Sequence, residues 1–284
     1  MFIFKRASHV REWIADQKKA GQSIGFIPTM GALHAGHLSL VDQSKTLTDM
    51  TMVSIFVNPK QFNDPEDLRK YPRPIEHDLK MLYESGVDMV FLPEINDIYP
   101  AGDDSKIDFD PGPTANTMEG KFRPGHFEGM AEVVYRLLQI TKPDQLFMGQ
   151  KDFQQFAIIR KLIDWYKMKV NLVMCPTIRE SNGLAMSSRN VRLSVAAREK
   201  AGIIYKNLLA GKALFENGQP VEKIQQTIFE SLRKENFDPE YVEVVDGYSL
   251  DTVSSLQDAD QIVACCAVKV EGIRLIDNLI WKEV

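Results

Sequence analysis

The sequence predicts an α/β protein with a largely parallel sheet over residues 1–175, followed by a smaller α+β domain over residues 176–284. Two observations carry this. Short β-branched and aromatic runs alternate with stretches of helical spacing up to about Met174, and beyond Pro176 two long helical stretches give way to three strand-like runs in quick succession. At 284 residues the chain has room for about two domains.

Taken in order, Ser8–Ala20 places Val10, Trp13 and Ile14 among charges, a helical rhythm. Ser23–Pro28 is an apolar run ended by proline, a buried strand. Thr29–His37 is a glycine-bearing turn, and Leu38–Lys45 returns to helical spacing. Met52–Val57 and Val87–Leu92 read as strands on either side of a loop and helix over Pro65–Glu84. Asp103–Thr117, rich in Asp, Gly and Pro, reads as a mobile loop. Met130–Thr141 and Phe153–Tyr166 read as helices, Gln145–Met148 and Val170–Met174 as strands. In the second domain Val195–Asn217 and Val221–Glu235 read as single helices, and Tyr241–Val245, Gln261–Val270 and Arg274–Leu279 as strands.

Composition narrows the function. With 44% hydrophobic and 26% charged residues the chain is an ordinary globular one, which excludes a disordered tail, a fibre or a rod. No apolar run approaches the roughly 18 residues of a membrane span. The start mixes Lys5, Arg6, Arg11, Glu12 and Asp16 among apolar residues, unlike a signal peptide, so a cytoplasmic protein with no membrane partner is expected. A net charge of -5 argues against nucleic acid as a partner. The three cysteines, two of them adjacent, make a poor disulfide framework and read as reduced thiols.

Five segments carry chemistry. Pro28–His37 (PTMGALHAGH) follows a strand and opens a helix, where parallel sheets bind ligands. Gly31 and Gly36 allow close backbone approach, and a helix start offers N–H groups to phosphate. His34 and His37 are three residues apart. By spacing alone such a pair reads sooner as surface histidines or a fortuitous metal pair; the glycines, the strand-to-helix setting and the needs of a phosphate reverse that preference in favour of donors to a phosphate. No Walker-type phosphate loop and no well-placed Gly-x-Gly-x-x-Gly occurs. In Ser54–Phe62 (SIFVNPKQF), Asn58 and Gln61 read either as a polar turn or as amides holding the oxygens of a small substrate. In Gly120–Gly129, Arg123 and His126 read either as anion ligands or as packing for a structured loop. In Gly149–Gln155 (GQKDFQQ), Lys151 suits a phosphate, Asp152 a ribose hydroxyl, a magnesium-bound water or a helix cap, and Gln155 follows one turn on. In Arg179–Asn190, Ser187, Ser188 and Arg189 form an oxyanion clamp loosely similar to the Lys-Met-Ser-Lys-Ser loop of some aminoacyl-tRNA synthetases. Lys151–Arg192 holds eight Lys/Arg against three Asp/Glu, a basic island in an acidic chain; Lys161, Lys167 and Lys169 are the part that a solvated helix face explains.

Together these segments resemble the pantothenate synthetases, the pantoate–β-alanine ligases. The likeness rests on PTMGALHAGH, SIFVNPKQF, YPR (Tyr71–Arg73), RPGHFEG, GQKDFQQ, GLAMSSRN and RLIDN (Arg274–Asn278), in order along nearly the whole chain. One departure is Met148, where the family usually carries Phe, an apolar exchange. The resemblance implies a Rossmann-like nucleotidyltransferase domain that binds ATP and pantoate, a C-terminal domain closing over it, and a homodimer. It implies that pantoate and ATP give pantoyl adenylate and pyrophosphate, and that β-alanine then gives pantothenate and AMP. On this likeness Met30, Gly31, Ala32, Leu33, His34, Ala35, Gly36 and His37 line the ATP site, with His37 as proton donor. Gly149, Gln150, Lys151, Asp152, Ile178, Met186, Ser187, Ser188 and Arg189 complete it, Gln61 and Gln155 hold pantoate, and Mg²⁺ bridges the phosphates with no dedicated protein metal site. His34, His37, Lys151, Ser187, Ser188 and Arg189 are the donors that would neutralise charge in adenylation. The rival reading is another His-x-Gly-His nucleotidyltransferase acting on a phosphorylated small molecule; a catalytically dead nucleotide sensor would have lost some of these donors.

Overall fold

A computed structural model describes residues 1–63, 65–102 and 107–284. In chain order the elements are β1 (Phe2–Phe4), α1 (Ala7–Lys19), β2 (Ile24–Thr29), α2 (Ala35–Leu47), β3 (Met50–Ile55), α3 (Pro65–Lys70), α4 (Ile75–Glu84), β4 (Met89–Phe91), α5 (Ile95–Ile98), α6 (Met118–Phe122), α7 (His126–Thr141) and β5 (Gln145–Gly149). Then come α8 (Phe153–Trp165), β6 (Asn171–Cys175), α9 (Val195–Lys200), α10 (Ile203–Glu216), α11 (Val221–Lys234), β7 (Asp238–Asp246), β8 (Gln261–Val270) and β9 (Ile273–Glu283). The chain divides into two compact units. The first comprises 1–115, 123–149 and 158–175; the second comprises 116–122, 150–157 and 176–284.

The first unit is built on a six-stranded sheet in the order β1-β4-β3-β2-β5-β6, parallel throughout. The strands read as near-continuous apolar runs because both faces are covered. Ile27, Val53, Val90 and Phe147 face Leu40 and Val41 of α2 and Leu82 of α4 in one core. Gly25 is required by that packing: a Cβ there would sit 2.2 Å from Ser44 Oγ and 2.8 Å from the Phe147 ring. β2 pairs with β3 on one side and β5 on the other, so the strand order reverses between β2 and β5. The carboxyl ends of those strands, Thr29 and Gly149, therefore mark the crevice where such sheets bind ligands.

The second unit packs α10 and α11 on an antiparallel sheet ordered β7-β8-β9. α11 presents Val221, Ile224, Ile228 and Leu232 at helical spacing to a core that includes Val244, Ile262, Ala264, Val268 and Trp281. Residues 116–122 and 150–157 join this unit through polar contacts. Gln154 accepts from Glu119 N at 3.0 Å and donates to Thr117 O at 3.0 Å, while the Glu119 carboxylate takes Arg274 at 2.5 and 2.7 Å and the Tyr241 hydroxyl at 2.8 Å.

The α/β reading and the C-terminal strand run hold, with three corrections. β1 does not read as a strand from the sequence because Phe2 and Ile3 are exposed and it is three residues long; it gains its strand character by pairing with β4. The expected single helix over Val195–Asn217 is broken at Ala201–Gly202. Asn182 Nδ2 donates to Arg198 O and Glu199 O at 2.8 and 2.9 Å, satisfying the last turn of α9, and a Cβ at Gly202 would lie 2.3 Å from Asn182 O. Within the stretch read as a mobile loop, Gly112–Asn116 is a 3₁₀ turn with Thr114 and Ala115 buried; the part at 103–106 lies outside the described residues. No helix among the described residues is long and apolar enough to cross a membrane.

Candidate active site

In the first unit the loop after β2 turns through two left-handed residues, Gly31 (φ 82°) and Ala32 (φ 50°). Asp78, fully buried on α4, accepts from Ala32 N at 2.9 Å and Leu33 N at 2.8 Å. A Cβ at Gly31 would lie 2.9 Å from that carboxylate, so glycine is needed for the loop to close on it. The two imidazoles then fasten the start of α2. His34 is its N-cap; Nδ1 accepts from Gly36 N at 3.1 Å, and His37 Nδ1 accepts from His34 N at 3.3 Å. The ring centroids are 4.1 Å apart. Each ring in its neutral form therefore carries its proton on Nε2.

This refines the sequence reading. His34 lies outside the helix, and the Gly36 and His37 N–H groups expected for phosphate are taken up by His34 Nδ1 and His34 O. Two N–H groups of the helix start are thus engaged within the turn, and the ring Nε2–H groups are donors that the junction carries in addition.

Asn58 and Gln61 follow β3 in a short 3₁₀ turn, both buried. Asn58 is committed internally: Nδ2 donates to Gln61 Oε1 at 3.2 Å and Gly129 O at 3.0 Å, and Oδ1 accepts from the Tyr99 hydroxyl at 3.0 Å and Lys60 N at 3.3 Å. Burial foremost, with Glu132 adding to it, pushes the Tyr99 phenol well above its ordinary range, so it remains a donor. Asn58 thus positions Gln61. Gln61 Nε2 lies 2.8 Å from Met30 Sδ, which sets the expected substrate amide against the expected ATP loop.

His126 is the opposite case to His34 and His37. Its Nδ1 lies 2.8 Å from Gln61 O, a carbonyl that can only accept, so the proton is on Nδ1 and Nε2 accepts from Arg123 at 3.2 Å. Of the two readings open for Arg123 and His126, packing support for the Gln61 turn is the one seen. Gly129 serves the same turn: a Cβ there would lie 2.2 Å from Lys60 O.

In the second unit Gln150–Asp152 form a 3₁₀ turn, with Lys151 Nζ 3.2 Å from Asp152 Oδ2. Gln155 is half-buried in the first turn of α8. Met186 N donates to Ile178 O at 2.9 Å, and a bridge joins Arg179 to Ala185, so 178–186 form a small hairpin arm turning at Gly183 (φ 98°). Met186–Arg189 lie partly exposed between buried Ala185 and Asn190, with Asn190 tied to Glu180 Oε1 at 2.8 Å and Ala185 O at 3.0 Å. Burial pushes the Glu180 carboxyl up, but hydrogen bonds from Arg198 and Asn190 outweigh it and hold the group below the usual range. Three supports went unassigned in the sequence: Asp78, Asn278 and the Arg179–Asp277 pair. Asn278 donates to Gln150 O and Lys151 O at 2.8 and 2.9 Å.

The first unit, a doubly wound α/β fold with imidazole donors at a strand-to-helix junction, is of the class that binds anionic ligands at the carboxyl ends of its strands; the second unit, taken by itself, carries ammonium and hydroxyl donors. The family model described as pantoate-β-alanine ligase matches residues 2–280. A pantothenate synthetase of Porphyromonas gingivalis is 42% identical over the full length of both chains, and one of Aquifex aeolicus 39% identical over 99% of this chain and 98% of its own. A crystal structure of pantothenate synthetase from Thermus thermophilus superimposes with a TM-score of 0.91 at 36% identity, covering 99% of this chain and all of the other. A pantoate-β-alanine ligase structure from Francisella tularensis, complexed with β-γ ATP and β-alanine, gives a TM-score of 0.79 at 35% identity over 99% and 98%. The chain belongs to the pantoate–β-alanine ligase family, and is a ligase of pantothenate biosynthesis.

Proposed function

We propose that this chain condenses (R)-pantoate with β-alanine, using ATP, in two steps. A pantoate carboxylate oxygen attacks the α-phosphorus of ATP. The bond to the bridging oxygen breaks, pyrophosphate leaves and pantoyl adenylate forms. The amine of β-alanine then attacks the acyl carbon, the bond to AMP breaks and the nitrogen sheds a proton.

The observation that carries this reading is the pair of imidazoles capping α2, each with Nδ1 accepting a backbone N–H and so with Nε2 as donor. Donors fixed before the reaction stabilise charge as it develops on the phosphates without reorganising. His34 and His37 act on the phosphates, His37 giving an Nε2–H hydrogen bond to the departing oxygen, within the ATP-facing loop Met30–His37. Gly149, Gln150, Lys151, Asp152, Ile178, Met186, Ser187, Ser188 and Arg189 serve the same nucleotide, with the ammonium, hydroxyls and guanidinium neutralising pyrophosphate. Gln61 and Gln155 hold pantoate, and Asn58 holds Gln61. Amide formation then depends mainly on keeping amine and adenylate together.

Mg²⁺ would accompany ATP. Among the described residues no three His, Cys, Asp or Glu side chains gather as a cage, and Asp152 is paired to Lys151. Phosphate oxygens and water, magnesium's preferred partners, would hold the ion and share the charge of the leaving group. The chain acts as a cytoplasmic homodimer on small molecules only.

The test is to supply ATP, pantoate and β-alanine together and omit each in turn. AMP release that requires both organic substrates is the expected result. Pyrophosphate exchange driven by phosphopantetheine or nicotinamide mononucleotide instead of pantoate would establish the rival nucleotidyltransferase reading.

A further inference from the structure

Two consecutive residues of β9, Asp277 and Asn278, lie outside every donor segment yet touch the supports of two of them. Asn278 is 2% exposed. Its Nδ2 donates to Gln150 O (2.8 Å) and Lys151 O (2.9 Å), and its Oδ1 accepts from Gln150 Nε2 (3.1 Å). Both Nδ2 hydrogens and a lone pair of Oδ1 are thus spent on the turn that carries Lys151. Asp277 takes both terminal nitrogens of Arg179 at 2.6 and 3.0 Å. The same guanidinium donates to Asn278 O (3.3 Å) and Gly183 O (3.1 Å), and its central carbon lies 3.5 Å from the centre of the Tyr205 ring. Gly183 is the turn of the arm that leads into Ser187–Arg189.

We propose that Asp277 and Asn278 are positioning residues that set the Lys151 ammonium and the Ser187–Arg189 donors in one fixed arrangement. The inference rests on the proposed function, because it takes Lys151 and Ser187–Arg189 to be the donors. A fork that binds a carboxylate with two bonds while stacking on an aromatic ring has one geometry, and lysine cannot reproduce it. An amide that spans two successive carbonyls fixes a turn in the same way. Donors to developing charge lose effect when displaced by about half an ångström, so the loss should fall on the chemical step. Burial pushes the Asp277 carboxyl up and Arg179 pulls it back only in part, so its position depends on that one guanidinium.

The experiment is a pair of double-mutant cycles on the full-length chain, read as kcat for AMP release, with KM for ATP and β-alanine and the melting temperature alongside. Asn278→Ala should lower kcat about 10- to 100-fold, a fraction of the effect of removing a donor outright, and leave KM for β-alanine within about twofold. In a Lys151→Ala background the same substitution should cost less than about threefold, because the group it positions is gone. Arg179→Lys, which keeps the charge, should behave likewise against Arg189→Ala, and it serves if Asn278→Ala fails to fold. Losses that multiply in both cycles would reduce the pair to structural packing and overturn the proposal. A fully active Lys151→Ala, or a wild type that releases no AMP from pantoate and β-alanine, would instead remove the functional reading and this inference with it.

Discussion

In the parallel-sheet unit the donor loop is fastened by an acceptor: the buried Asp78 carboxylate draws in the N–H groups of Ala32 and Leu33. In the C-terminal unit the donor turn is fastened by a donor: the Asn278 amide reaches the carbonyls of Gln150 and Lys151. The difference follows from what each segment displays. A loop with residues in the left-handed region turns its N–H groups to one side and makes a nest for an anion. A 3₁₀ turn leaves carbonyls unpaired at its end. In both units the group that does the fastening comes from an element remote in sequence.

The comparison can be broken from its strongest point downward. His37→Ala should lower adenylate formation by at least about 100-fold with the fold intact, the scale for losing a preorganised donor; full turnover in a pyrophosphate-exchange assay would show that the imidazoles only cap the helix. Asp78→Ala leaves one buried and one half-buried N–H group without an acceptor, those of Leu33 and Ala32, at a cost of about 1–3 kcal/mol for each such group. Denaturant titration should show a loss of several kcal/mol, and a loss under about 1 kcal/mol would mean that the loop needs no clamp.

Two glycines sharpen the contrast between backbone and side-chain contacts. Gly129→Ala drives a Cβ to within 2.2 Å of a backbone carbonyl, that of Lys60, whereas Gly211→Ala meets side chains, the Cδ1 end of Ile228 and the buried Trp281 ring, at 2.8 Å. The first should cost about 2–3 kcal/mol and raise KM for pantoate through the Gln61 turn, the second about 1 kcal/mol with no kinetic effect; equal losses by thermal unfolding would erase the distinction. The smallest effect concerns the buried cysteines. Burial raises Cys175 to about 11, and burial foremost lifts Cys265 and Cys266 further. Each thiol stays protonated below its folded value, so at pH 8 about one Cys175 in a thousand is thiolate. Native protein should react slowly with iodoacetamide, Cys175 first, and rapid modification of Cys265 by mass spectrometry would contradict the assigned burial.

Much of this was legible in the sequence because it is local. Apolar runs marked strands β2 to β6 of the parallel sheet, and glycine with histidine after Thr29 marked the junction. What escaped was fixed by distant partners. Asp78 sits in an ordinary amphipathic helix, and nothing in its neighbours announces that its carboxylate is buried under a loop more than forty residues earlier. The break at Gly202 depends on Asn182, whose amide reaches α9 only once the hairpin arm has formed. The choice between packing and ligand roles for His126 turned on which ring nitrogen faces a carbonyl, a matter of tautomer that no spacing encodes.

The Nδ1 atoms of His34 and His37 have a consequence for acid solutions. A second proton on either ring must displace a backbone N–H from that nitrogen, so charging the imidazole loosens the first turn of α2 as it changes the chemistry. Protonation and local unfastening become one event, visible at once in turnover and in amide exchange at Gly36.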